Sequence, residues 1–460
     1  MLTLFLIILA VACIASMTSP RYAIVSILAI GFLQDPFRKL VPGEPIYFIV
    51  TVGFVFGVVF LSTLQREGIG GLATPFTGWT TITRQPLNLF FAVLGLQFAH
   101  SMVRYGNPFV SLIGLLSYTA PFFAIVVGYY MVERSNDIRA FMKVYVVVGF
   151  VLSLTVWLSF SGIEMKIFKE VGKGLLIYDQ GTILRSFSGF MRTGEIAAWH
   201  MATSCCFIIV LFFASKSRAS ALLVVLVILF MMAAIAFTGR RKMLMLVTIF
   251  GMLYGVGFAY YRKQFSVSYL VTAASLIFCV WLAVELVAPG GYGDGLGNYI
   301  ARGTSVYSSA SERALELGLR PINWAFNRVG FLGGGLGIAS QGSHFFNVST
   351  IAGGSGEGGL GKIMVELGVP GLLVSLWLMY ALARYISTSI RLSAQNFVPE
   401  RLMPLMLGIA GILLVNVLTF AVATQVYGDM FILILIGLLA GFLFALPKLV
   451  AREIQEGGGS

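Results

Sequence analysis

The residues in this chain best suited to chemistry fall into three groups, each built around arginine. The first is Leu184-Arg-Ser-Phe-Ser-Gly-Phe-Met-Arg-Thr-Gly-Glu-Ile-Ala-Ala-Trp-His200, which sets Arg185 and Arg192 seven residues apart at the entrance to an apolar segment. The free N–H groups and dipole of a helix N-terminus add to guanidinium charge, so arginines placed there make an anion site. Ordinary snorkelling of interfacial arginine is the competing explanation. The second group is Phe237-Thr-Gly-Arg-Arg-Lys-Met243, with Arg240, Arg241 and Lys242 consecutive in a very short turn between apolar runs. Arginine inside a membrane costs ~2.5–3.5 kcal/mol on insertion scales. A turn this short therefore keeps its cations near the interface, at the level of a pyrophosphate headgroup.

The third group is Arg320-Pro-Ile-Asn-Trp324, then Leu332-Gly-Gly-Gly-Leu-Gly337, Ser343-His-Phe-Phe-Asn347, and a segment running from Gly353 through Glu357 and Glu366 to Gly371. Of the histidines His100, His200 and His344, only His344 lies outside the apolar runs. An exposed imidazole with a pKa of about 6.5 serves as a general base near neutrality, although a lone loop histidine is more often inert. Glu357 and Glu366 are nine residues apart and cannot share a helix turn. Glu357 falls where a helix N-terminus near Gly359 favours a carboxylate. Glu366 falls inside the following apolar segment, where an ionisable group is costly and marks function by default; a hydrogen bond to a neighbouring helix is the structural alternative. From Gly330 to Gly361 there are 12 glycines in 32 residues. That density permits positive φ and close backbone approach to a ligand, with a flexible linker as the alternative.

The elements that must position these groups are membrane helices. Hydrophobic residues make up 58% of the 460 residues and charged residues 11%, with a mean hydropathy of +0.91. That is too little charge for a water-soluble surface. The apolar runs are continuous and do not alternate, which excludes a β-barrel. A span needs roughly 20 apolar residues. The expected spans are approximately 2–16, 21–35, 45–63, 86–103, 108–132, 140–162, 194–214, 219–238, 243–261, 266–288, 360–386, 402–423 and 427–449. The first two are short enough to be half-buried or re-entrant, so the expectation is an all-α polytopic membrane protein of 12–13 transmembrane helices. Its expected parts are 1–288 (ten spans), 289–359 (one long extramembrane loop), 360–452 (three spans), and a tail, 453–460, whose final Gly457-Gly-Gly-Ser460 has the composition of an appended linker. Within the loop, the stretch from about Ser305 to Arg328 is expected to form an amphipathic interfacial helix. The start, Met1-Leu-Thr-Leu-Phe5, lacks a basic leader and reads as a retained first span.

The net charge of +12 lies in the connections between spans, so membrane orientation and anionic lipid substrates explain it better than nucleic acid does. Placing the C-terminus (Lys448, Arg452) in the cytoplasm also puts Arg384, Arg391, Arg401, Arg262, Lys263, Lys216, Arg218, Arg134 and Arg139 there. The opposite face keeps comparable positive charge in 163–193, Gly239–Lys242 and 289–359. Charge kept against the topological bias points to an anionic ligand; the alternative is that long loops translocate regardless of charge. The cysteines (Cys13, Cys205, Cys206 and Cys279) all lie in apolar runs with no disulfide or zinc spacing, and three scattered histidines make a metal site improbable.

In order and type, these groups resemble the bacterial O-antigen polymerase and O-antigen ligase superfamily. Arg185…Gly189…Arg192 resembles its Arg-x-x-Gly segment before a span. Thr238-Gly-Arg-Arg241 resembles its Thr-x-Ser-Arg segment at a span end. Arg320-x-x-x-Trp324, Gly-x-Gly, His344 and Glu357-x-Gly-x-x-Gly resemble its large periplasmic loop and the helix after it. The resemblance covers roughly 180–375 and implies a GT-C-like, inverting, metal-independent glycosyltransferase of the inner membrane, without cofactors, its active site facing the periplasm. The donor it implies is an undecaprenyl-pyrophosphate-linked glycan; the acceptor is a glycan or, in ligases, lipid A-core. A chain-length regulator or other polysaccharide assembly proteins are the partners it implies. Arg192, Arg240 and Arg320 would hold the pyrophosphate, with Arg185 and Arg241 beside them, and His344 would deprotonate the acceptor. A flippase or transporter of a lipid-linked anion is the alternative of another class. It predicts charge at the midplane of several spans, whereas Glu366 is the clear case here.

Overall fold

The computed structural model describes residues 1–77, 81–171, 176–179, 182–214, 221–262, 296–308, 315–340, 358–395 and 402–457. Its helices are α1 (Leu2–Thr18), α2 (Pro20–Leu40), α3 (Phe48–Glu67), α4 (Thr81–Tyr105), α5 (Pro108–Met131), α6 (Ser135–Phe160), α7 (Gly194–Ala214), α8 (Ala221–Phe237), α9 (Arg241–Arg262), α10 (Leu296–Ser308), α11 (Arg320–Val329), α12 (Gly359–Gln395), α13 (Leu402–Val422) and α14 (Met430–Gly457). Each expected span except 266–288, which lies outside the described residues, falls on one of these helices. Among the described residues nine helices are long and apolar enough to cross a membrane, while α1 and α8 are apolar but shorter. The chain is a multi-pass, helical membrane protein. Apolar side chains pointing outward suit lipid as the solvent, and helices satisfy their own backbone groups there.

The chain divides into two compact units. The first comprises Met1–Val58, Glu133–Ser309 and Val398–Val415; the second comprises Val59–Val132, Ala310–Phe397 and Asn416–Ser460. The expected single loop element, 289–359, is therefore shared between them. Of its expected helix from Ser305 to Arg328, residues 309–314 lie outside the described residues; Ser305–Ser308 close α10, and a π-turn over Leu315–Leu319 runs directly into α11. Pro321, which lacks an N–H, sits in the first turn of α11, where it is tolerated.

In the first unit α1 packs on α2, and α6, α7, α8 and α9 pack on one another. The connection between α6 and α7 holds the small strand content of an otherwise all-α chain among the described residues. It carries a two-stranded antiparallel hairpin, β1 (Leu176–Asp179) and β2 (Thr182–Arg185), with Leu176 opposite Arg185.

In the second unit, α5 and α14 cross on small residues. A Cβ at Gly437 would stand 2.5 Å from Ala124 Cβ, and one at Gly128 would stand 2.5 Å from the Leu438 carbonyl. Such crossings let membrane helices approach closely. Within the glycine-rich stretch, residues 330–340 are neither a linker nor an open ligand loop, and 359–361 open α12. Gln97 Nε2 donates to Leu332 O (2.7 Å), Tyr105 Oη to Gly334 O (2.9 Å) and Ser101 Oγ to Leu336 O (2.8 Å). α12 is broken at Gly368 (φ 68°), ahead of Pro370, and the stretch repairs the break. Gly334 N–H donates to Val365 O (2.7 Å) and Val369 N–H to Phe331 O (2.9 Å). Non-helical backbone within a helical membrane protein is tolerated when neighbours satisfy it in this way. The close backbone approach that glycine permits is made here to helices: a Cβ at Gly335 would stand 3.0 Å from Ser101 Cα.

Candidate functional site

The first unit gathers four of the arginines singled out in the sequence, together with charged residues the sequence did not reveal as neighbours. Their platform is aromatic. Phe160 stacks on Phe237 (3.9 Å between centroids, 4° between planes), Trp157 meets Phe237 edge-on (4.7 Å), and Phe187 and Tyr299 lie 5.6 and 5.8 Å from Phe160. This cluster joins the ends of α6 and α8, the segment following the hairpin, and α10. Tyr299 Oη donates to Arg185 O (2.6 Å), which ties α10 to the hairpin end.

The basic turn sits on this platform. Gly239 adopts φ 69°, a conformation that glycine takes without strain. Thr238 Oγ1 accepts from Arg240 N–H (3.2 Å), and Thr238 O accepts from Ser186 Oγ (3.0 Å). Arg302 Nε donates to Gly239 O (3.1 Å), and the buried Arg241 donates through Nη1 to Ser305 Oγ. Two residues of α10 thus hold the turn from one side. On the other, Arg240 pairs with Glu195 (3.1 Å), with side chains 25% and 22% exposed. We expect Gly239→Ala to cost about 1–2 kcal/mol, the penalty for a Cβ in the left-handed region. A thermal melt in lipid nanodiscs reads that loss; an unchanged melting temperature would show that the turn relaxes.

The entrance to α7 differs from the open helix N-terminus anticipated. Gly194 N–H donates to Glu170 Oε1 (2.8 Å), which also accepts from Ser186 Oγ (2.8 Å), and Glu195 stands in the first turn. The chain's own carboxylates answer the helix dipole. Burial pushes the Glu170 carboxyl above its ordinary value; its hydrogen bonds from Ser186 and Gly194, and the charges of Arg240 and Lys39, pull the other way. Arg192 is not exposed at this entrance either. Its guanidinium bonds to the fully buried Asp35 at 3.1 Å. Lys39, on the same helix as Asp35, is buried too, and its pKa is lowered to about 8 by burial, opposed by the nearby charges of Asp35, Glu170 and Glu44. Three carbonyl oxygens surround its Nζ, the arrangement that suits the three donors of an ammonium.

Arg185 lies further out, 3.7 Å from Glu164 and over the Phe187 ring at 5.5 Å. The cations Lys39, Arg185, Arg192, Arg240, Arg241 and Arg302 outnumber Asp35, Glu164, Glu170 and Glu195. The cluster carries excess positive charge on a partly desolvated platform, where electrostatic interactions are stronger than in water. Such a cluster can bind an anion and stabilise negative charge that develops on it.

The remaining expected site residues lie in the second unit or outside the described residues. Arg320 belongs to the second unit, 75% exposed in its side chain and paired with Glu316 (2.9 Å). Glu366, also in the second unit, is fully buried; its Oε1 accepts from Ala339 N–H (3.1 Å) and Ser340 Oγ (3.3 Å). His344 and Glu357 lie outside the described residues, as do Lys216, Arg218, Lys263, Cys279 and Arg401. The residues missed from the sequence are Asp35, Lys39, Glu170, Glu195 and Arg302. One signal was available: Asp35-Pro-Phe-Arg-Lys39 is a charged run at the end of an apolar helix.

Compared with known proteins, the chain matches no family model, and no curated protein is similar to it in sequence.

Proposed function

We propose that this chain is an inverting glycosyltransferase that polymerises undecaprenyl-pyrophosphate-linked repeat units of an O-antigen or exopolysaccharide at the periplasmic face of the inner membrane. The observation that carries the proposal is the basic turn, Thr238–Arg241, buttressed by Arg302 and Ser305 on one side and facing Glu195 on the other. It concentrates positive charge where two apolar helices meet at their ends, which supports a pyrophosphate carried on a lipid as the ligand.

In the proposed reaction an acceptor hydroxyl attacks the anomeric carbon of the donor glycan. The bond from that carbon to the pyrophosphate oxygen breaks, and undecaprenyl pyrophosphate leaves with the bonding pair. The acceptor proton passes to a base, for which His344 is the proposed group. Arg240, with Arg192, Arg241 and Arg185, neutralises charge growing on the leaving group, the step at which preorganised donors act most strongly.

The test uses purified protein in nanodiscs with undecaprenyl-pyrophosphate glycan in EDTA, with and without lipid A-core. We expect chain growth without core. Product formed only with core makes the protein an O-antigen ligase. No product under either condition, from folded protein, refutes the enzyme reading and leaves transport of a lipid-linked anion to be tested.

A further inference from the structure

The last two turns of α2 carry two buried charges that both reach residues 189–192, Lys39 reaching Ile167 as well. Asp35 and Lys39 are spaced i, i+4 and so share one face of the helix; they are 0% and 1% exposed. Asp35 Oδ2 accepts the backbone N–H of Arg192 (3.0 Å), and Oδ1 accepts Arg192 Nη1 (3.1 Å). Lys39 Nζ donates to the carbonyl oxygens of Met191 (2.5 Å), Gly189 (2.9 Å) and Ile167 (3.0 Å), with Ser188 Oγ at 3.5 Å. An ammonium has three N–H groups, and three carbonyls receive them. The turn they hold is itself constrained. Gly189 has φ 55°, and a Cβ there would stand 3.1 Å from Val156 Cγ2.

Packing alone does not explain these choices. A methionine fills the volume of a buried lysine with no charge to desolvate, and burying an ion costs several kcal/mol. What the ammonium alone supplies is two directed donors to this turn and a third to Ile167 O, which ties the turn to the segment Lys166–Phe168, and what the carboxylate alone supplies is acceptors for both the backbone and the side chain of Arg192. We propose that Asp35 and Lys39 are a pair of positioning residues that clamp residues 186–192 and so set the guanidinium of Arg192 for an anionic ligand. Neither touches the substrate; both act through Arg192. The identity of the ligand rests on the glycosyltransferase reading, whereas the clamp concerns the turn itself.

The experiment compares wild type, Lys39→Met, Arg192→Ala and the double variant in nanodiscs. It uses hydrogen exchange over 186–192 and the affinity for inorganic pyrophosphate. We expect Lys39→Met to raise exchange in 186–192 at least tenfold while α7 and α9 stay protected, and to weaken pyrophosphate binding about tenfold. In the Arg192→Ala background, adding Lys39→Met should change the affinity less than twofold, because the residue through which it acts is gone. In the transfer assay Lys39→Met should raise the donor KM more than it lowers kcat. Wild-type exchange in Lys39→Met overturns the clamp, as does an equal loss of affinity in both backgrounds. If Lys39→Met does not fold, Asp35→Asn replaces it under the same criteria. Wild type that exchanges as expected but neither binds pyrophosphate nor transfers glycan refutes the functional reading and leaves the clamp standing.

Discussion

Arg240→Ala is expected to lower the rate of glycan transfer about 10²–10³-fold, the effect of removing one preorganised donor aimed at developing negative charge. The same substitution should leave stability nearly intact. The ion pair with Glu195 is partly exposed on both sides, and exposed pairs contribute ~1 kcal/mol or less. That contrast separates Arg240 from Arg192. Arg192→Ala strands the buried carboxylate of Asp35, and breaking a buried pair costs about 3–5 kcal/mol, so a loss of activity there mixes chemistry with folding. Arg240→Lys should recover part of the rate, since it keeps the charge but not the planar fork that matches phosphate oxygens. Initial rates with lipid-linked donor, together with melting temperatures of all three variants, check this. An Arg240→Ala enzyme that is folded and fully active would remove the basic turn from the site.

The contrast between Arg240 and Arg192 also shows what a sequence of this kind makes legible. Charge is scarce here, so consecutive cations between apolar runs announce themselves, as Arg240 and Arg241 do. The hydropathy runs likewise locate the helices, because a lipid solvent demands long apolar segments. Pairings do not announce themselves. Asp35 is 157 residues from Arg192, Lys39 is 150 from Gly189, and Arg302 is 63 from Gly239. No local period links such partners, and only the packing of α2, the hairpin connection and α10 brings them together. The glycine-rich stretch fails to declare itself for a different reason. Glycine permits close approach without specifying to what, and in residues 330–340 the answer is the neighbouring helices, with Gln97, Ser101 and Tyr105 as hydrogen-bond donors. The helical spacing from Ser305 to Arg328 is matched by the described residues, but it gives no sign that Leu315–Leu319 winds as a π-turn ahead of Pro321.

Glu366 is where this difference between site and scaffold can be decided by one pair of substitutions. A carboxylate inside a membrane helix invites a catalytic reading, but its oxygen is engaged by Ala339 N–H and Ser340 Oγ, next to the break in α12 that residues 330–340 repair. Glu366→Ala removes the acceptor from two buried donors and leaves a cavity, so we expect a stability loss of ~2–4 kcal/mol. Glu366→Gln keeps an amide oxygen in the acceptor position and removes only the charge. An anchoring role therefore predicts that the glutamine variant melts within a few degrees of wild type and transfers glycan at more than half the normal rate, while the alanine variant loses both stability and activity. A proton-handling role predicts a glutamine variant that is folded but slowed by 10² or more, the size of a general acid–base contribution. The hydrogen bonds favour the anchor. Through Oε1 Glu366 accepts from Ala339 N–H and Ser340 Oγ, and an alanine variant as stable as wild type would show that residues 339–340 are held without it.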